Sequence, residues 1–217
     1  MTVTITRLFD DYATASRAVS DLEAAGLSQS DISIVSSNAD NWYAGKSDSD
    51  ASRATTGRVD RDRDGTDDRA EGAGAGAGVG AALGGAAGLL AGLGLLAIPG
   101  IGPVVAAGWL VSTAAGAAAG AAAGGLVGAL TQTGVSDEDA HAYAEGVRRG
   151  GTLVTARVPE ADRSRYDAIL DRSAVNIRHR SAAYRETGWS RFDESASPYT
   201  PDQVRQERQR YRTSGVV

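Results

Sequence analysis

The stretch Pro99-Gly100-Ile101-Gly102-Pro103 divides the longest uncharged segment of the chain near its middle. That segment lies between Glu71 and Asp137 and holds 65 residues. A hydrophobic helix of about 20 residues spans a bilayer, and two prolines around two glycines stop and restart a helix. The sequence therefore predicts a helical hairpin with arms from about Gly72 to Ile98 and from about Pro103 to Leu130.

Small residues recur at every fourth position of both arms. They share one helix face, so each arm would carry a groove almost without side chains. Glycine costs a soluble helix about 0.8–1 kcal/mol per residue, whereas small faces let membrane helices approach closely. The pattern predicts helix packing through Gly76, Gly80, Gly84, Gly88, Gly92, Gly108, Ser112, Gly116, Gly120, Gly124 and Gly128. The hairpin turn is expected at Pro99, Gly100, Gly102 and Pro103.

Two other interpretations of this segment remain open. A disordered Gly/Ala linker would also be uncharged, but the apolar cluster from Leu89 to Ile98 is too dense for one. A soluble glycine-zipper bundle could bury the same faces between subunits of a homo-oligomer.

Residues 1–37 and 136–180 each predict the order strand, helix, strand. In the first, Thr2 to Phe9 is rich in residues that favour strands, Asp10 or Asp11 caps a helix, and Ile32 to Ser36 follows as a strand. In the second, the elements are a helix capped by Ser136, a strand from Leu153 to Val158, a helix opened by Pro159 and a last strand from Ala174 to Ile177.

Each β-α-β piece is too small to bury a core alone. We therefore expect an α+β fold, a ferredoxin-like β-α-β + β-α-β sandwich split by the inserted Gly/Ala-rich transmembrane-type helical hairpin of residues 72–135. If both halves share one sheet, the insertion must leave and return on the same side of a membrane. The N-terminus lacks the pattern of a signal peptide, which predicts the inner (cytoplasmic) membrane with both termini cytosolic.

Two polar segments complete the chain. Residues 38–71 form an acidic linker. Within it, residues 60–71 fit the calcium-loop pattern D-x-D-x-D-G-x5-E, although Asp67 stands at the usually hydrophobic eighth position. The candidate calcium ligands are Asp60, Asp62, Asp64, Asp68 and Glu71. The alternative is a solvated acidic spacer. Residues 181–217 form an Arg-rich tail, either an arm for anionic lipid or an acidic partner, or a solvated helix.

Composition argues against several classes of function. The absence of cysteine excludes thiol catalysis and Cys-ligated metals, and a net charge of −5 disfavours nucleic-acid binding. The two histidines are expected to be surface polar groups, His141 on a helix and His179 at a strand end. We find no catalytic constellation, cofactor motif or small-molecule site, so the chain is expected not to be an enzyme.

Three stretches resemble a bacterial stress-protein family that joins a heat-induced general stress protein type of α/β domain to a glycine-zipper hairpin. They are Thr6-Arg7-Leu8-Phe9-Asp10 through Gly26, Ala97 through Trp109, and Glu145 through Val154. Members are often labelled low-temperature-induced or membrane proteins. The resemblance implies a membrane-associated stress role without catalytic residues. We expect a self-associating protein of the bilayer; the alternatives are a soluble homo-oligomer and a calcium-responsive module.

Overall fold

The computed structural model describes residues 1–43, 93–111 and 125–214. The strands are β1 (Thr2–Phe9), β2 (Ile32–Ser37), β3 (Gly94–Ile98), β4 (Gly102–Gly108) and β5 (Thr152–Pro159). The helices are α1 (Tyr12–Ala24), α2 (Gly125–Gln132), α3 (Asp137–Arg148), α4 (Arg163–Leu170), α5 (Ile177–Glu186) and α6 (Pro201–Ser214). The predicted α+β class is confirmed.

The strands form one antiparallel sheet in the order β1-β5-β2-β4-β3. Strand β2 is central, since Ile34 pairs with Val154 of β5 on one side and with Ala107 of β4 on the other. Pairing of β5 between β1 and β2 joins the two halves of the chain in one sheet.

Local signals in the first half specify its structure well. The Asp11 side chain accepts a hydrogen bond from the backbone N–H of Thr14 at 2.7 Å and caps α1. The apolar face of α1 is completely buried against the sheet; it consists of Ala15, Ala18, Val19 and Leu22. Gly26 follows with φ +97°, a conformation that glycine adopts without strain.

Helices cover both faces of the sheet. The core on one face contains α1 and α4 and includes Ile5, Ile34 and Val154. The core on the other face contains α2, α3 and the turn between β3 and β4, and it includes Leu8, Val35 and Leu153. Alternate residues of each strand thus point into different cores.

The last predicted strand, Ala174 to Ile177, is wrong. Only Val175 pairs with β1, and its N–H donates to the Leu8 carbonyl at 2.7 Å. The Asn176 side chain accepts hydrogen bonds from the N–H groups of Arg178 and His179, so it caps α5 where the strand would continue. His179 therefore lies in a helix, and the boundary expected at residue 180 falls inside α5.

The prediction of two helical arms is also wrong for residues 93–108, the part of both arms that the structure describes before residue 109. Residues 94–98 and 102–108 are antiparallel strands, and β4 pairs with β2 over five residues. The sheet supplies backbone partners for this stretch, and its Leu, Ile and Val side chains suit a pleated surface. Gly128 does lie in a helix, α2. Gly76 to Gly92, Ser112, Gly116, Gly120, Gly124 and the calcium candidates lie outside the described residues.

Gly108 has a role different from the predicted helix groove. It closes β4 with φ +96°, and a Cβ there would lie 2.3 Å from the Ile32 carbonyl oxygen. Glycine is therefore needed for close contact between β4 and the residues that begin β2. Among the helices of residues 1–43, 93–111 and 125–214, none combines the length and the hydropathy that a membrane span requires.

Candidate functional site

Strand β3 is one edge of the sheet. In the described chain it pairs only with β4, and its sequence Gly94-Leu95-Leu96-Ala97-Ile98 carries no charge. Leu95 is 45% exposed, whereas Leu96 packs partly against the core that contains α3. Backbone N–H and C=O groups on the outer side of such a strand can pair with another strand.

A turn lies at the predicted hairpin turn, but it joins β3 and β4 instead of two helices. Gly100 and Gly102 have φ values of +71° and +95°. A Cβ on Gly100 would lie 2.7 Å from the Asp193 carbonyl oxygen, and one on Gly102 would lie 2.7 Å from Cβ of Pro198. The turn thus packs against the segment between α5 and α6.

The chain leaves and re-enters the described structure beside this edge. The Tyr43 hydroxyl donates a hydrogen bond to the Leu93 carbonyl at 3.2 Å, so the two ends of segment 44–92 lie together. Trp42 stacks against Tyr12, with ring centroids 4.5 Å apart, and is 37% exposed. We call Trp42, Tyr43, Leu93 and Leu95 the edge patch.

A second candidate site lies beneath α6, where three arginines meet. We call Arg149, Arg180 and Arg208 the arginine cluster. Arg149 donates to Glu145 at 2.6 Å and to Glu207 of α6 at 3.1 Å. The remaining pairs are Arg180 with Asp10 at 2.7 Å and Arg208 with Asp40 at 2.5 Å.

Tyrosine rings lie over two of these guanidinium groups. Arg149 lies 4.3 Å from the Tyr184 ring centroid and Arg180 lies 3.7 Å from that of Tyr211. Burial lowers the pKa of Arg149, but the hydrogen bond and the charge of Glu145 outweigh it and raise that pKa above its ordinary value. Burial, together with the nearby carboxylate of Glu207, raises the pKa of Tyr211 to about 12.

The arginine cluster encloses a small pocket with a cavity volume of about 10 Å³, which is room for one water molecule. Within the described residues, the buried Nε of Arg180 has no hydrogen-bond partner. Arg208 also donates to the Gly150 carbonyl at 2.8 Å, and Val204 of α6 packs against Gly150. This arrangement anchors α6, which forms residues 201–214 of the Arg-rich tail, to the domain.

The sequence contained part of the signal for this cluster. Glu145 and Arg149 are four residues apart on a predicted helix, a spacing that favours an ion pair. Glu207 follows Arg149 by 58 residues, and no local pattern joins them.

His141 is buried on helix α3, whereas the sequence predicts a polar group at the surface. It is only 8% exposed and lies 3.6 Å from Asp137. Burial, and then the positive charge of Arg191, lowers its pKa, although Asp137 and Glu194 oppose this shift. Across residues 1–43, 93–111 and 125–214, no group of three or more His, Asp or Glu side chains could hold a metal ion.

Comparison of the chain with protein-family models, curated proteins and solved structures finds no match.

Proposed function

We propose that the chain is a non-enzymatic bacterial stress-response protein that self-associates through the Gly/Ala-rich parts of residues 72–135. The observation that carries the proposal is the contact between Tyr43 and Leu93 at an uncharged sheet edge. Because the two ends of segment 44–92 lie together, the folded domain can present that segment to other copies without opening its own sheet.

We further propose ferredoxin-like connectivity for the domain. Strand β1, α1 and β2 form one β-α-β unit, and β5, α4 and the Val175 bridge form a reduced second unit. The positions of Val175, β1, β5 and β2 support this interpretation, since they give the interleaved order of that fold. The β3–β4 hairpin would then be an addition to its edge.

Attachment to the bilayer of the inner membrane is a second candidate, favoured by the 65 uncharged residues. Bilayer attachment cannot use the two long helical arms that the sequence predicts, because the described part of those arms forms strands β3 and β4. Strands β2 and β3 share one sheet, so residues 43 and 93 lie on the same side of any membrane. Two crossings need about 40 apolar residues, whereas only residues 72–92 of the intervening segment are uncharged. Self-association is therefore the better-supported function.

The test compares the oligomeric mass of the full chain with that of a zipper variant, Gly84→Leu with Gly120→Leu, by light scattering. Leucine would fill the small-residue faces, so we expect the variant to dissociate. Ala82→Leu with Ala118→Leu places the same two leucine side chains off the four-residue repeat and should keep the native mass. A monomeric wild-type chain would refute the proposal.

Alkaline carbonate extraction of cells then addresses the second candidate. Release of the full chain into the supernatant is expected for self-association without membrane insertion. Retention in the membrane pellet would favour bilayer attachment instead.

A further inference from the structure

Within the residues that the structure describes, strand β3 lacks the charges, prolines and bulges that usually protect an edge strand. Natural edges carry charges, prolines or bulges that prevent pairing with another chain. Strand β3 contains no charged residue and no proline, and its register with β4 is regular from Gly94 opposite Ala106 to Ile98 opposite Gly102. Its outer edge is therefore suited to accept another strand.

The lack of charge suits this edge to a second copy of the chain. The protein has a net charge of −5, so copies repel one another overall, and an uncharged edge is where this repulsion opposes contact least. Residues 93–111 carry no charge. In a pair related by two-fold symmetry, the uncharged β3 of one copy would face the uncharged β3 of the other, so no like charges would lie directly opposite within the paired strands.

We infer that two copies pair antiparallel through β3, with the two-fold axis at Leu96, the middle residue of the strand. Leu96 then lies opposite Leu96 of the partner subunit, and Leu95 lies opposite Ala97 of the partner subunit. The exposed Leu95 and Trp42 of each edge patch lie beside this contact, where pairing would cover apolar surface. The two sheets join into one continuous antiparallel sheet.

The contact is small, since only five residues of each copy pair. Stable interfaces bury about 1,200–2,000 Å², more than two short strands supply. Edge pairing therefore acts inside the proposed oligomer, where the other subunit contacts raise its effective concentration. The inference therefore rests on the proposed self-association, and it identifies β3 as the surface through which the folded domains contact one another.

Cysteine crosslinking of the full chain tests the register, because the protein has no cysteine of its own. Residues directly opposite in an antiparallel pair have Cα atoms about 4.5–5.5 Å apart, within the range of a disulfide. Leu96→Cys should form a covalent dimer under oxidation. Leu95→Cys is the matched control. Its two cysteines, one in each subunit, would be two positions out of register, with Cα atoms more than about 7 Å apart and beyond the range of a disulfide.

We expect roughly tenfold more dimer from Leu96→Cys than from Leu95→Cys. Leu96 is partly buried, so a second measurement avoids it: a mixture of Leu95→Cys and Ala97→Cys chains should give the mixed dimer. Native oligomeric mass with neither crosslink would overturn edge pairing and leave the proposed function intact. Failure of Leu96→Cys chains to form the crosslink when oxidised at low protein concentration, together with a monomeric wild-type mass, would overturn the proposed function.

Discussion

Arg149 of the loop after α3 donates a hydrogen bond to Glu207 of α6 at 3.1 Å, and both side chains are buried. The pair fixes the C-terminal helix over the arginine cluster. Because α6 buries few apolar side chains, chiefly Val204 and Tyr211, this ion pair is a principal determinant of its position.

Replacing Glu207 with Gln should weaken the docking of α6. Arg149 would keep Glu145 but lose its second carboxylate, and Tyr211 would lose a charged acceptor. We expect a loss of about 1–3 kcal/mol in the free energy of unfolding, measured by urea denaturation. The control is Asp202→Asn, which breaks the exposed pair with Arg205 and should change stability by less than about 1 kcal/mol. Equal effects of the two substitutions would contradict the anchoring role.

Gly108 and Gly134 form a matched pair for testing the close contact of β4 with β2. Both have left-handed φ values, +96° and +92°, so alanine brings backbone strain of about 1–2 kcal/mol at either site. Only at Gly108 would the new Cβ collide with backbone, 2.3 Å from the Ile32 carbonyl oxygen. Gly108→Ala should therefore destabilise the protein by about 1–3 kcal/mol more than Gly134→Ala. Thermal unfolding of both variants measures the difference, and equal melting temperatures would be inconsistent with the described contact.

The buried His141 should make stability depend on pH. Its folded pKa is lowered from the ordinary 6.5, chiefly by burial, so the unfolded chain takes up the proton first. Stability is then highest above pH 6.5 and falls as the pH decreases through the folded pKa. His141→Gln should flatten this slope in urea unfolding curves recorded between about pH 7.5 and 5. A wild-type slope that stays unchanged in His141→Gln would contradict the burial of this imidazole.

Buried tyrosines should produce a second loss of stability at high pH. Burial raises the pKa of Tyr143 and of Tyr211 from 10.0 to about 12. The unfolded chain therefore releases these protons first, and stability falls as the pH rises from 10 toward 12. At about pH 11, tyrosinate absorbance of the folded protein should lie well below that of the denatured protein. Equal absorbance would show that these phenols titrate as exposed groups.

Local sequence signals predicted those elements whose structure depends on neighbouring residues. The Asp11 cap and the apolar spacing from Ala15 to Leu22 predicted α1, and Ser136 predicted the start of α3. Asn176 is a residue type that caps helices, and the α5 that begins after it was missed because Val175 favours a strand.

Elements that depend on distant partners were not predictable in the same way. The glycine spacing around Gly108 suggested a helix, whereas β2, more than 60 residues earlier, supplies the backbone partners that make residues 102–108 a strand. The arginine cluster likewise unites Asp10, Arg149 and Glu207 from three remote parts of the chain. Pairing across such distances has no short-range periodicity.

The hydrogen bond between Tyr43 and Leu93 has a consequence for how this chain can change in evolution. A stretch whose two ends lie side by side can change in length without changing the distance that it has to span. The number of residues between Tyr43 and Leu93 can therefore vary among descendants of this sequence while the two flanking positions stay in contact.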